Sequence, residues 1–344
     1  MPRRRARFAA LALVVLSACS SGGGAAAPTT TTAPPTTTTT TAPSTTTTTA
    51  PPTTTTAGLV PGITPVWAAV PTSGPVKAIV TSTGVVLPVS GAAADGKYRV
   101  DTPCSNHAVV GGAPYYGANV VLDPGHGGDE LGAVGKGGLT EKAVNLAVAE
   151  DTATLLRAAG AEVVLTRTSD YRITLATRGE IATNLHPQVF VSIHHNAEPD
   201  GPFPRPGNET YYQVASADSK RLAGLVYEEI QKAFSAYQIA WMADRDAGAK
   251  YRTTSSGGNY YGILHRTEGV PGVLSEAAYI SNPPEEQLLA TDAFRQVEAT
   301  AIARAVVRYL NTADPGSGYV TPYPRTEPAG SGGGPTGCVD PPLG

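Results

Sequence analysis

The feature that most limits what this chain can fold into is a run of threonine. Residues 29–56 hold 19 Thr in 28 positions, and the rest are Ala, Pro and one Ser. The run has no charge, no aromatic side chain and no apolar period. It cannot bury enough surface to offset the entropy of ordering, so it reads as a tether. The disordered linker is assigned to residues 20–61, and the folded part of the chain is expected after it.

Residues 1–19 read as a secretory signal. Arg3, Arg4, Arg5 and Arg7 form its positive end, and residues 8–16 are an apolar run too short to span a bilayer. The run closes on Leu16-Ser17-Ala18-Cys19. This resembles a bacterial lipobox, in which Cys19 takes a diacylglycerol and becomes the new N-terminus. The alternative is an ordinary signal peptide that contains a Cys. Two or more acyl chains give a stable anchor. The expected location is extracytoplasmic, lipid-anchored to the outer face of the cytoplasmic membrane and reaching into the wall. The roughly 40-residue linker would reach about 35 Å as a coil and about 130 Å in extended polyproline form.

Without the four N-terminal arginines the chain has 21 basic and 28 acidic residues, a net charge of −7. A nucleic-acid partner would want a basic patch, so this balance argues against one. The chain is read as a monomer. Cys104 and Cys338 are the other two cysteines. In an oxidising compartment they are expected to pair, tying the tail to the segment before the catalytic domain; the alternative is two free thiols.

After the linker, residues 62–116 alternate apolar and polar side chains between turn signals. They read as a small β-rich segment with short strands at Ala78-Ile79-Val80, Val85-Val86-Leu87 and Tyr98-Arg99-Val100. Residues 117–312 alternate strand and helix. Strands are expected at 118–122, 161–167, 189–194, 209–214 and 272–279, and helices at 140–159, 174–186, 217–234 and 292–310. Thr140 is read as an N-cap and Gly160 as a stop. The pattern predicts a single three-layer α/β domain with a twisted, largely parallel sheet flanked by helices. Residues 313–344 read as a Pro/Gly-rich tail.

Two of the six His sit where chemistry is expected in such a fold, just past the carboxyl ends of strands. His126 lies in Leu122-Asp123-Pro124-Gly125-His126-Gly127-Gly128, and His194 in Val191-Ser192-Ile193-His194-His195-Asn196. Glu141 opens the first helix of the domain. If the first and third strands are neighbours, two imidazoles and a carboxylate meet at one sheet edge. That is the ligand set of a catalytic zinc, with one position open. The hydrolytic step then needs a general base. Glu276, in the apolar strand Val273-Leu274-Ser275-Glu276-Ala277-Ala278-Tyr279, is the candidate, because an unpaired buried carboxylate is costly. Each residue alone has a plainer reading. His126 would be a loop residue, His194 a core residue, Glu141 a charge at a helix N-terminus, and Glu276 the partner of a buried Arg.

Together the segments resemble the zinc-dependent N-acetylmuramoyl-L-alanine amidases of bacterial cell walls, over residues 119–310. The D-P-G-H-G-G motif stands at 123–128 and L-x-E-K-x-V-N-L at 139–146. V-L-T-R stands at 164–167, and R-x-x-x-A-N at 178–184 with one extra position. S-I-H-x-N-A stands at 192–197. V-L-V-E-x-x-F-I-S-N-P stands at 273–283, with Ser275 for Val and Tyr279 for Phe. The resemblance implies zinc ligands at His126, Glu141 and His194, with Glu276 as catalytic acid/base. It places His195 at a variable position, its side chain on the other face of the strand. The implied reaction cleaves the amide between N-acetylmuramic acid and L-alanine of the peptidoglycan stem. Asn196 and Arg252 are taken as substrate contacts, Arg252 (or Arg266) from its charge alone. Some relatives carry a helix that blocks the site; residues 239–261 are instead expected to form a mobile loop. Competing readings are a tethered, non-catalytic wall-binding protein and a zinc peptidase cutting within stem peptides.

Overall fold

The computed structural model describes residues 58–325 and 333–344. The signal segment, Cys19 and the Thr-rich run lie outside these residues. No helix among the described residues is long and apolar enough to cross a membrane.

The chain opens with five short strands: β1 (Ala78–Val80), β2 (Val86–Ala92), β3 (Tyr98–Asp101), β4 (His107–Val110) and β5 (Ala113–Tyr115). They form one antiparallel sheet in the order β4-β3-β2-β1-β5. The α/β part follows as β6 (Val120–Pro124), α1 (Glu141–Ala158), β7 (Val163–Leu165), α2 (Leu175–Leu185), β8 (Val189–Asn196), β9 (Gly201–Phe203) and β10 (Glu209–Tyr212). It continues as α3 (Ala217–Phe234), β11 (Trp241–Ala243), β12 (Ala249–Lys250), α4 (Gly262–Arg266), β13 (Gly272–Tyr279), α5 (Pro283–Leu289) and α6 (Asp292–Asn311).

Six strands form the central sheet in the order β12-β10-β13-β8-β6-β7. β7, β6, β8 and β13 are parallel, whereas β10 runs against β13 and takes β12 parallel to itself. The largely parallel sheet is therefore present, with an opposed pair at one edge. Side-chain alternation sorts the strands between two layers. Val120, Leu122, Val191, Ile193 and Val273 pack with α1, α3 and α6. Val121, Val164, Phe190 and Leu274 pack with α2 and α4.

The β-rich segment is part of this second layer. Ala78, Ile79, Val86 and Leu87 are buried in the same cluster as Ile181, Ala182 and Leu185 of α2. Helix ends follow side-chain chemistry. Thr174 caps α2 by accepting from Thr177 N at 3.2 Å, and His186 closes it in a left-handed conformation at φ +44°. Thr140 stands at the N-cap of α1 but makes no side-chain cap bond.

The tail is bound along its described length. Ala249 N donates to Gly318 O and Val320 N to Ala249 O, which extends the β12 edge. Arg325 pairs with Asp244 and Asp246. Cys338 is disulfide-bonded to Cys104, with Cα atoms 5.5 Å apart. Asp340 accepts from Thr102 Oγ1, Cys104 N and Asn106 Nδ2, each at 2.8 Å. Residues 239–261 hold β11 and β12 and no helix.

Candidate metal centre

β6 and β8 are neighbours, so their carboxyl ends bring the loop after Pro124 against His194. Gly125 makes this approach possible: a Cβ there would lie 2.1 Å from His194 Cε1. The chain then turns through His126 at φ +60°. Two buried arginines hold the turn. Arg178 donates to Asp123 Oδ1 at 2.6 Å, to Pro124 O at 2.7 Å and to His126 O at 2.6 Å. Arg167 donates to Pro124 O at 2.9 Å and Gly125 O at 3.0 Å. Burial would raise the Asp123 carboxyl, but Arg178 and the Thr166 and Ser192 hydroxyls outweigh it and hold it below its ordinary value.

Glu141 is the first residue of α1 and is buried. Its Oε1 lies 2.9 Å from His194 Nδ1, and its Oε2 lies 3.2 Å from His126 Nε2. Ala133 N donates to Oε2 at 2.8 Å, His195 N to Oε1 at 3.1 Å and Asn145 Nδ2 to Oε1 at 3.3 Å. A Cβ at Gly132 would meet Glu141 Oε2 at 2.5 Å, so the loop packs directly on the carboxylate. The His126 and His194 rings meet edge to face, with centroids 5.0 Å apart. Burial raises Glu141, but hydrogen bonds from His126 and His194 outweigh it and leave the carboxyl well below the usual range. Burial also lowers His194 against the raising pull of Glu141, which favours the neutral imidazole, the form that ligates metals. One donor atom from each of the three residues lies within 4.8 Å of the others. Two imidazoles and a carboxylate turned on one point suit a divalent cation such as zinc.

Glu276 on β13 registers with His194 on one side and with Glu209 of β10 on the other. Its Oε2 is buried and has no hydrogen-bond partner. Burial, then Glu141, then Glu209 push its carboxyl well above the usual range, against the lowering pull of Lys250. It faces the same layer as His194, since both share the side of the sheet taken by Phe190 and Leu274.

His195 points the other way and is buried. Its Nδ1 lies 2.8 Å from Asn145 Oδ1 and its Nε2 lies 3.0 Å from Glu298 Oε2. A second acidic group, Glu209, Asp244 and Asp246, also brings its oxygens within 4.8 Å. There Lys250 Nζ already stands 3.1 Å from Glu209 and 2.6 Å from Asp246, and Arg325 bonds Asp244 and Asp246. These cations fill the role a metal would take.

The two sequence-assigned substrate contacts stand on different elements: Asn196 ends β8 and Arg252 follows β12. Arg252 stacks on Tyr260 at 3.6 Å and lines a separate cleft. Asn196 Oδ1 accepts from Ala197 N at 3.1 Å, two residues beyond His194 on β8; a cavity of about 400 Å³ at the triad is lined by His126 and His194. Sequence reasoning gave no role to Arg167, Arg178 or Asn145. The available signal was an Arg closing the apolar run Val163-Val164-Leu165-Thr166, since a charge there is expensive unless it is bonded.

A family model described as N-acetylmuramoyl-L-alanine amidase matches residues 120–308. The amidase AmiC of Neisseria meningitidis serogroup B is 32% identical over 56% of this chain and 53% of its own length. AmiA of Salmonella typhimurium, also an N-acetylmuramoyl-L-alanine amidase, is 30% identical over 57% of this chain and 77% of its own. The chain thus spans about half of the first relative and about three quarters of the second. The solved catalytic domain of CwlV, such an amidase from Bacillus (Paenibacillus) polymyxa var. colistinus, is 35% identical. It covers 56% of this chain and 97% of that domain, with a TM-score of 0.47.

Proposed function

This chain belongs to the N-acetylmuramoyl-L-alanine amidase family, and from that premise we propose that it hydrolyses the amide joining N-acetylmuramic acid to L-alanine of peptidoglycan. The observation that carries this reading is the convergence of His126, Glu141 and His194 on one point, with Glu276 in register with His194 and its Oε2 buried without a partner. His126, Glu141 and His194 would hold zinc. When bound there, zinc would supply Lewis-acid polarisation of the amide carbonyl and would lower the pKa of a bound water.

The protein's own groups do the rest. Glu276 takes the proton of the attacking water and returns it to the leaving nitrogen. Asn145, held by His195, keeps Glu141 in place, and Arg167 and Arg178 keep the His126 turn in place.

The cleavage site is tested by mass spectrometry of products from purified peptidoglycan, with and without a chelator. Stem peptides with a free L-Ala amino terminus, absent under chelation, are expected. Cuts only within the stem would make the protein a zinc peptidase, and no release at all a wall-binding protein. Cys19 is further proposed as the lipid-bearing residue, with the Thr-rich run as the spacer to the wall. If Cys19→Ala leaves the protein in the membrane fraction, the anchor is elsewhere.

A further inference from the structure

β8 carries His194 toward one layer and His195 toward the other, where Val191 and Ile193 also point. That second layer is built on apolar side chains, among them Val148 and Ala149 of α1 and Ala301 and Ile302 of α6. A line of polar groups crosses it. Glu298 of α6, His195 of β8, and Asn145 and Glu141 of α1 are all buried. Glu298 Oε2 lies 3.0 Å from His195 Nε2, and His195 Nδ1 lies 2.8 Å from Asn145 Oδ1. Asn145 Nδ2 then donates to Glu141 Oε1 at 3.3 Å and to Gly125 O at 3.2 Å. His195 N adds a bond to Glu141 Oε1 at 3.1 Å. One amide thus ties the Glu141 carboxylate to the turn that carries His126.

Hydrogen-bond chemistry fixes the direction of this line. Gly125 O and the Glu141 carboxylate are acceptors, so Asn145 must turn its NH2 toward them. Turned over, its oxygen would face two other oxygens at the same distances. The amide oxygen therefore faces His195, whose Nδ1 must carry a hydrogen. Nε2 is left to Glu298 with one hydrogen between them, and the heavy-atom arrangement is the same whichever atom holds it. Such a line is a poor way to hold α6 on the sheet. Apolar side chains of similar volume hold buried elements as well or better. The second Glu298 oxygen, Oε1, is also buried without a partner, which costs further stability.

We propose that His195 and Glu298 are positioning residues for the metal centre: they lock the Asn145 amide in the one orientation that holds Glu141 and the His126 turn together. This inference rests on the metal reading of the triad. Glu298 acts at the greatest distance, through the His195 ring and the Asn145 amide. The S-I-H-x-N-A motif leaves position 195 open, so the imidazole there is a feature of this chain. Groups that orient a ligating carboxylate in this way set metal affinity without touching the metal.

The test is zinc titration of the metal-free full chain in competition with a chromophoric chelator, with the visible spectrum of the Co²⁺ form recorded beside it. His195→Leu fills the space without a donor. It is expected to weaken zinc binding about 10–100-fold and to shift the cobalt bands. Glu298→Leu is expected to weaken it about tenfold. His195→Gln and Glu298→Gln each return an N–H donor to the line and are expected to recover most of the loss. Thermal melts of the metal-free proteins check the fold, and Glu298→Leu carries the test if His195→Leu does not fold. Unchanged zinc affinity and cobalt spectra in the leucine variants overturn the inference. So do glutamine variants that lose as much as their leucine counterparts, since the donors would then be irrelevant. If the wild type binds no zinc, the metal reading falls and the inference with it. If the wild type binds zinc and the variants match it, the inference alone falls.

Discussion

Glu276 is half-buried, with its Oε2 fully buried; its carboxyl feels a second carboxylate, Glu141, and it registers with a third, Glu209. No packing argument explains a carboxyl there, because its Oε2 has no partner and a hydrophobic side chain would fit the strand. We propose that its place is accounted for by proton transfer. Glu276→Gln is expected to lower kcat by about 10²–10⁴-fold while zinc still binds, measured by stem release and metal analysis. Retained turnover would remove Glu276 from the mechanism. Asp123 acts in a different way, as the buried partner of Arg178 at 2.6 Å. Its folded-state pKa is depressed, so its contribution to stability is full above the unfolded value and is lost as pH falls through the folded value. Thermal melts are expected to show this loss below about pH 4, and Asp123→Asn should flatten it. A wild-type acid limb that the substitution leaves unchanged would refute this assignment. The four residues Glu276, His126, Glu141 and His194 were all legible as candidates, because each breaks the apolar or turn pattern around it. Arg167 and Arg178 carried the same kind of signal, but most of their partners are backbone carbonyls, which a sequence does not display.

At the scale of elements, the site depends on how closely two strand ends approach. The loop after β6 sits on His194 because Gly125 has no side chain. Gly125→Ala is expected to push the imidazole aside and weaken zinc affinity about 10–100-fold, read by metal titration. An unchanged affinity would mean that the loop can yield. Helix and strand periods located most of these elements within a few residues, and α3 and β13 match their expected bounds. Other elements were not legible for identifiable reasons. β10 runs antiparallel to β13, a direction set by a non-local partner and not by the composition of Glu209–Tyr212. Thr140 stands at the cap position of α1 without a cap bond. There the first-turn carboxylate is turned instead to His126 and His194, so the site takes precedence over the helix end.

In the whole molecule, the described segments on either side of the family match, residues 58–119 and the described parts of the tail, pack with the α/β part. The β1–β5 sheet closes the α2 layer, and the tail returns across it to the disulfide. The bridge spans 234 residues, for which the chain-entropy model gives at most about 5 kcal/mol. Cys338→Ser is therefore expected to lower the melting temperature by several degrees, with reductant producing the same fall in the wild type. The Asp340 bonds to Thr102, Cys104 and Asn106 should limit the loss. Equal melting temperatures in all samples would show that those bonds alone hold the tail. The sequence by itself determined the alternation of strands and helices and the identity of the four candidate site residues. These follow from local composition and period, which act over a few residues. Only the tertiary structure decided that Glu276 stands between His194 and Glu209. It alone turned an acidic cluster into an ion-paired one through Lys250 and Arg325, and it set Glu298 of α6 in line with His195 and Asn145 behind Glu141. Each of these rests on contacts between distant parts of the chain, and such contacts leave no mark on local sequence.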